Sequence, residues 1–203
     1  MEKIVHYMLP GLSLMGYFFL ASVALTDIVI EREQGTLRRV LSGPVTVGQF
    51  LAAKVLVAAI LCVAAELTLV AISRALFGMR WGSPMALMTI SLGMVLAVVG
   101  VLTLVHGLAK TRSQADALSH LVIMAMCLFG GSFLPLEDLP GFMEKIGRWT
   151  INYWAIKGMR ACANGASVFE LLPIASCLAI LGIATLSAGA WIMRRRLLKG
   201  DYS

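Results

Sequence analysis

The chain has 203 residues, 59% of them hydrophobic and 14% charged, with a mean hydropathy of +0.86. Soluble domains are roughly 45–50% apolar and about 25% charged, so composition excludes a water-soluble globule; dispersed Gly and Pro also exclude a disordered or collagen-like chain. The formal charge of +6 would suggest nucleic acid in a soluble protein, but in a membrane protein excess Lys and Arg belongs on the cytoplasmic side, and no nucleic-acid partner is expected.

Spans of roughly 20 residues limit a chain of this length to about six or seven crossings, hence one membrane domain. Five apolar runs are long enough: Met8 to Ile30, Val55 to Phe77, Met85 to Ala109, Leu118 to Leu136 and Leu171 to Met193. They are continuous rather than alternating in polarity, which predicts an all-α membrane protein and not a barrel. Ser22-Val23-Ala24 imitates a signal-peptidase site, but the preceding run is too long and Glu2 is wrong for a basic start.

Orientation follows from the connections. The segment 31–54 carries Arg32, Arg38, Arg39 and Lys54, the third connection Lys110 and Arg112, and the tail 194–203 carries Arg194, Arg195, Arg196 and Lys199. The other side holds fewer cations, and those of the segment 137–170 are balanced by Glu137, Asp138, Glu144 and Glu170. The basic segments are therefore placed in the cytoplasm, with the carboxyl terminus, in a cell-membrane protein whose amino terminus lies outside.

Within the first basic segment, Leu37, Val40 and Leu41 fall at helical spacing opposite Arg38 and Arg39, and Gly43-Pro44 ends the turn. Such a short amphipathic helix either rests on lipid headgroups or docks another protein. Farther on, Glu66 lies near the middle of its span, where an acidic group costs on the order of 2–3 kcal/mol and must face protein or water. It is either a contact for a polar or cationic substrate, or a packing residue satisfied by a Ser or Thr of a neighbouring helix. Arg74 reaches the interface by snorkelling.

Cys62, Cys127 and Cys177 fall in apolar runs and form no disulfide framework; Cys162, in the outer segment, is expected to react with an impermeant thiol reagent. Glu66, His106, Asp116 and His120 would be the raw material of a membrane enzyme or accessory subunit, the alternative reading. Glu66 and His106 lie at different depths, and there is no paired-His metal motif, phosphate loop or nucleophile elbow. In the outer segment Phe142, Ile146 and Trp149 recur at near-helical spacing, and Trp149, Tyr153 and Trp154 are interfacial aromatic types. Short helices at or dipping into the outer leaflet are expected there, as a simple anchor or a shelf at the substrate exit.

The run Glu31-x-Glu33-x-Gly35-Thr36-Leu37, followed by Pro44 and Lys54, resembles the cytoplasmic loop of the permeases of the type-2 ABC exporter family. Gly130-Gly131-Ser132-Phe133-Leu134-Pro135 with Leu139-Pro140 resembles the segment where that family leaves its penultimate span and turns back toward the membrane. The chain departs from the pattern at Thr150-Ile151-Asn152, where a Pro is common, and it begins at what would be the second span, without the usual first span and extracellular segment.

The resemblance implies a transmembrane subunit exporting a hydrophobic or amphipathic substrate, such as a drug or lipid, without catalysis of its own. It implies a second permease copy, alike or different, and a separate ATPase that binds ATP and Mg, with no cofactor or metal expected on this chain. Glu31, Arg32, Glu33, Gly35, Thr36, Leu37, Arg38 and Leu41 would form the coupling element. Gly131, Phe133, Pro135, Pro140, Trp149 and Trp154 would form the re-entrant exit, and the rest of the subunit would be embedded in membrane lipid.

Overall fold

The computed structural model describes residues 2–79, 81–133 and 141–199, which form helices and their connections with no strand among them. In chain order the helices are α1 (Glu2–Glu33), α2 (Thr36–Leu41), α3 (Val47–Phe77), α4 (Pro84–Leu108), α5 (Arg112–Phe129), α6 (Gly141–Gly147), α7 (Ile151–Ala163) and α8 (Val168–Lys199). Pro135 and Pro140 lie outside the described residues.

Caps set where the long helices begin. Thr46 accepts from the Gln49 backbone N–H while the Gln49 side chain accepts from the Thr46 N–H, a reciprocal capping box that starts α3 well before its apolar run. Ser83 precedes Pro84 at the first position of α4, and Thr111 caps α5. Lys54, expected at the edge of a span, therefore sits inside α3.

Among the described residues four helices are long and apolar enough to cross a bilayer: Met8–Glu33, Val47–Phe77, Pro84–Leu108 and Val168–Arg196. The fifth expected span does not join them. Its helix, α5, has 18 residues and spends its first turns on Arg112, Ser113, Gln114, Asp116, Ser119 and His120. At 1.5 Å per residue it still rises about 27 Å. It runs beside α1 from Arg112, next to Glu33, to the turn at Ser132, whose backbone abuts Gly11.

The tightest packing joins α4 to α8. A Cβ built on Gly93 would lie 2.8 Å from the Ala175 carbonyl oxygen, one on Gly100 2.3 Å from that of Gly182, and one on Gly107 3.0 Å from that of Gly189. The contacts recur every seven residues and ascend together on both helices, so α4 and α8 are parallel. A seven-residue repeat keeps one stripe in register through a left-handed supercoil. In lipid, where burial of apolar surface provides no drive between helices, association depends on such close backbone approach over small residues. Two parallel neighbours require the chain to return between them, and α5 makes that return. α1 packs against α3, α4, α5 and α7, and one continuous apolar core runs through these helices and α8.

Adding a methyl to this seam forces the helices apart. Gly100→Ala is expected to lower the unfolding midpoint in detergent, at a cost of about 1–3 kcal/mol. Gly16→Ala on α1, whose added methyl meets nothing within 4 Å, should leave the midpoint unchanged or raise it. Equal behaviour of the two variants would contradict the seam.

Candidate functional site

One end of the bundle gathers the finish of α1, all of α2, the start of α3, the finish of α4, the start of α5 and the finish of α8; we call it the basic end. α1 closes with the Gln34 N–H on the Ile30 carbonyl, and Gly35 turns the chain with φ +69°, a left-handed conformation that favours glycine. Thr36 then donates its hydroxyl to the Glu31 carbonyl at 3.2 Å. Leu37 is fully buried and fixes α2 to the bundle, so it cannot belong to a docking face as its amphipathic position suggested. The outward surface of this segment consists of Thr36, Arg39, Val40 and the stretch Ser42 to Val45. The backbones of Arg38 and Leu41 are helical; their side chains are not among those described.

α2 is carried by two helices that are ion-paired to each other. Lys54 of α3 lies 2.8 Å from a Glu31 carboxylate oxygen and 3.6 Å from Asp27, both on α1. Lys54 is only partly exposed, which limits the solvent screening that makes surface pairs weak.

The same end is tied to α4, α5 and α8. Arg32 donates to the Ala109 carbonyl at 3.1 Å and also to that of Lys110, while Arg196 of α8 donates to Leu108 and Ala109 at 3.0 Å. Two guanidinium groups thus satisfy carbonyls just where the α4 dipole leaves partial negative charge. Glu33 accepts the Arg112 backbone N–H at 2.9 Å, placing a carboxylate at the positive start of α5. Of the residues expected in the coupling element, Glu31, Arg32 and Glu33 are therefore the fastenings.

Just inside this end, Thr26, His106 and Asp116 meet. His106 Nδ1 bonds the Leu102 carbonyl at 2.8 Å, so that nitrogen carries the hydrogen; Nε2 lies 3.0 Å from the Thr26 hydroxyl, which is 3.4 Å from Asp116. Asp116 also faces Arg112 at 3.7 Å, whereas His120 Nδ1 bonds the Asp116 backbone carbonyl. Sequence spacing does not join His106 to Asp116, because they come together only through α1.

Glu66 is elsewhere, 3% exposed, and its Oε1 accepts from Ser91 of α4 at 2.5 Å. It has a neighbouring helix's serine as partner and presents no open face to a substrate. Arg74 is exposed.

At the opposite end α7 wedges between α1, α4 and α8. Its Asn152 is fully buried and donates to Ser132 Oγ at 3.2 Å, below the positive-φ turn at Gly131. Trp81, which the sequence argument passed over, is also buried: its indole N–H donates to Ser73 at 2.7 Å and its carbonyl accepts from the Cys162 thiol. Gly82 touches the Cys162 backbone so closely that a Cβ would lie 2.4 Å from its oxygen. Phe133, Phe142 and Ile146 are exposed, and Trp149 is 90% exposed, while Trp154 donates to the Arg148 carbonyl and holds Lys157 over its ring.

The family profile described as "ABC-2 family transporter protein" matches residues 1–191. The chain belongs to the ABC-2 transporter family. It is also similar to the linearmycin resistance permease protein LnrN of Bacillus subtilis (strain 168), with 32% identity over 120 residues. That alignment covers 59% of this chain and 31% of the relative, so the chain matches about a third of that permease's length. Membership makes this a multi-pass membrane protein and an ABC-2 type permease subunit.

In this permease the Ser91–Glu66 hydrogen bond joins α4 to α3. Ser91→Ala leaves Glu66 enclosed without its donor and is expected to lower the unfolding midpoint, costing about 1–3 kcal/mol. Glu66→Gln, which keeps the shape and a hydrogen bond to Ser91, should cost less; the opposite ranking would show that Glu66 is held by something other than Ser91. Cys162 is corrected from an accessible thiol to a fully enclosed one, and burial raises its pKa, so thiolate is scarce. An impermeant maleimide should label it only after denaturation, and prompt labelling of the folded chain would refute this placement.

Proposed function

We propose that this chain is the permease half-unit of an ATP-driven exporter in the cell membrane, with α5 as a fifth crossing and the basic end and carboxyl terminus in the cytoplasm. The cation bias of the basic end supports the orientation. The return of α5 alongside α1 supports the extra crossing. A separate ATPase subunit binds ATP and Mg and docks on α2, and the transport path forms with a second permease copy.

The observation that carries this reading is the build of α2. It is a short helix with Arg39 and Val40 turned outward, set between α1 and α3 by the short connections 34–35 and 42–46, and Lys54 binds those two helices together. Force applied to its outer face is delivered to two spans, and through Arg32 and Glu33 to the α4–α5 turn. A small displacement at one end thereby becomes a shift of packed helices, the shear type of transition. Similarity to a linearmycin resistance permease favours as cargo a compound against which export gives resistance, of hydrophobic or amphipathic character. The exposed row Phe142, Ile146 and Trp149 then anchors the exit side in the outer interface.

The test separates docking from folding. Val40→Asp, on the outward face, should abolish co-purification with the cognate ATPase while leaving the permease monodisperse. Leu37→Asp, by contrast, should reduce the yield of folded permease itself, since it buries a charge in an apolar site. ATPase retention by well-folded Val40→Asp would reject α2 as the docking element.

A further inference from the structure

An open cleft of about 580 Å³ separates α3 from α8 at the basic end. Its walls are apolar, formed by Leu51, Leu56 and Ala59 of α3 and Leu186 and Ala190 of α8. It runs from Gly48 in the first turn of α3 to Ala59, about 16 Å at 1.5 Å per residue. That is roughly half the ~30 Å hydrocarbon thickness of a bilayer, the depth available to a single acyl chain.

The mouth of the cleft has the opposite character. Arg194 lines it, exposed, with no hydrogen bond or ion pair among the described residues. Its neighbours are already committed: Arg196 to the carbonyls ending α4, and Arg195 to the Trp191 ring at 3.7 Å from its centroid. Trp191 itself lines the cleft and is an interfacial type. The cleft thus offers an apolar slot one leaflet deep beneath the Arg194 guanidinium, which lies at the polar level.

We infer that this cleft binds an anionic phospholipid, one acyl chain lying between α3 and α8 and the phosphate accepting from Arg194. Lipid in this position fills a gap between two helices that otherwise touch sparingly, one of which leads directly from the α2 loop. Guanidinium fits phosphate because its planar fork presents paired donors. The inference rests on the chain being embedded in a bilayer and not on where the ATPase docks.

The full-length permease in nanodiscs, with a photoactivatable phosphatidylglycerol carrying its diazirine on an acyl chain, provides the test. Cross-links should map to 48–59 and 186–194, and unlabelled phosphatidylglycerol should compete better than phosphatidylcholine. Arg194→Gln should weaken that competition about fivefold, the effect of one cation at an anionic surface. Ala52→Trp, which fills the exposed cleft wall without touching the core, should remove the cross-links while the protein stays monodisperse. Equal competition by phosphatidylcholine, or cross-links unaffected by both variants, would overturn the proposal. So would efficient Ala52→Cys disulfide formation between two permease copies, since a second copy would then occupy the cleft.

Discussion

The structure depends on the approach of two backbones. Gly93, Gly100 and Gly107 of α4 lie against Ala175, Gly182 and Gly189 of α8 so closely that no side chain fits between them. In a bilayer, where lipid is as apolar as leucine, this close contact supplies the dispersion energy that burial cannot. It also fixes the topology. Parallel α4 and α8 oblige α5 to return the chain and α7 to close the far end before α8 begins, so the seam explains why an 18-residue helix with polar first turns stands among four strongly apolar ones.

From that frame the basic end acquires its meaning. Arg32 and Arg196 converge on the carbonyls ending α4, one from α1 and one from α8, and Glu33 accepts from the start of α5. The paired helices α1 and α3, joined by Lys54 and bearing α2, share the apolar core with the α4–α8 unit and at the basic end are fastened to it by directional bonds. Such bonds can exchange partners as helices slide, whereas a glycine seam can only open. The proposed coupling therefore divides the molecule into a moving hairpin and a fixed pair.

Most of the architecture was legible in the sequence because lipid imposes length and apolarity on every span. Hydropathy found α1, α3, α4 and α8 but set the α3 start late, since the Thr46–Gln49 capping box and Lys54 are polar and belong to the helix all the same. The seam was missed for a related reason: glycine in an apolar run carries no hydropathy contrast, and the usable signal was the seven-residue spacing repeated in two distant segments. Leu37 and Cys162 were misplaced because amphipathic spacing tells which face is apolar but not whether bundle, lipid or partner covers it. The meeting of His106 with Asp116 through Thr26 needed three helices at once, beyond any local pattern. The family resemblance supplied what periodicity could not, and the match over residues 1–191 agrees with it.

The division into moving and fixed parts can be measured directly by pulsed electron paramagnetic resonance on the permease assembled with its ATPase, with and without a non-hydrolysable ATP analogue. One spin-label pair at Val45 and Leu108 reports the α2 loop against the end of α4; another at Leu92 and Ile180 reports α4 against α8, all four positions being exposed. The account predicts a nucleotide-dependent shift in the first distance and none in the second. A shift across α4 and α8 with the loop distance unchanged would contradict it.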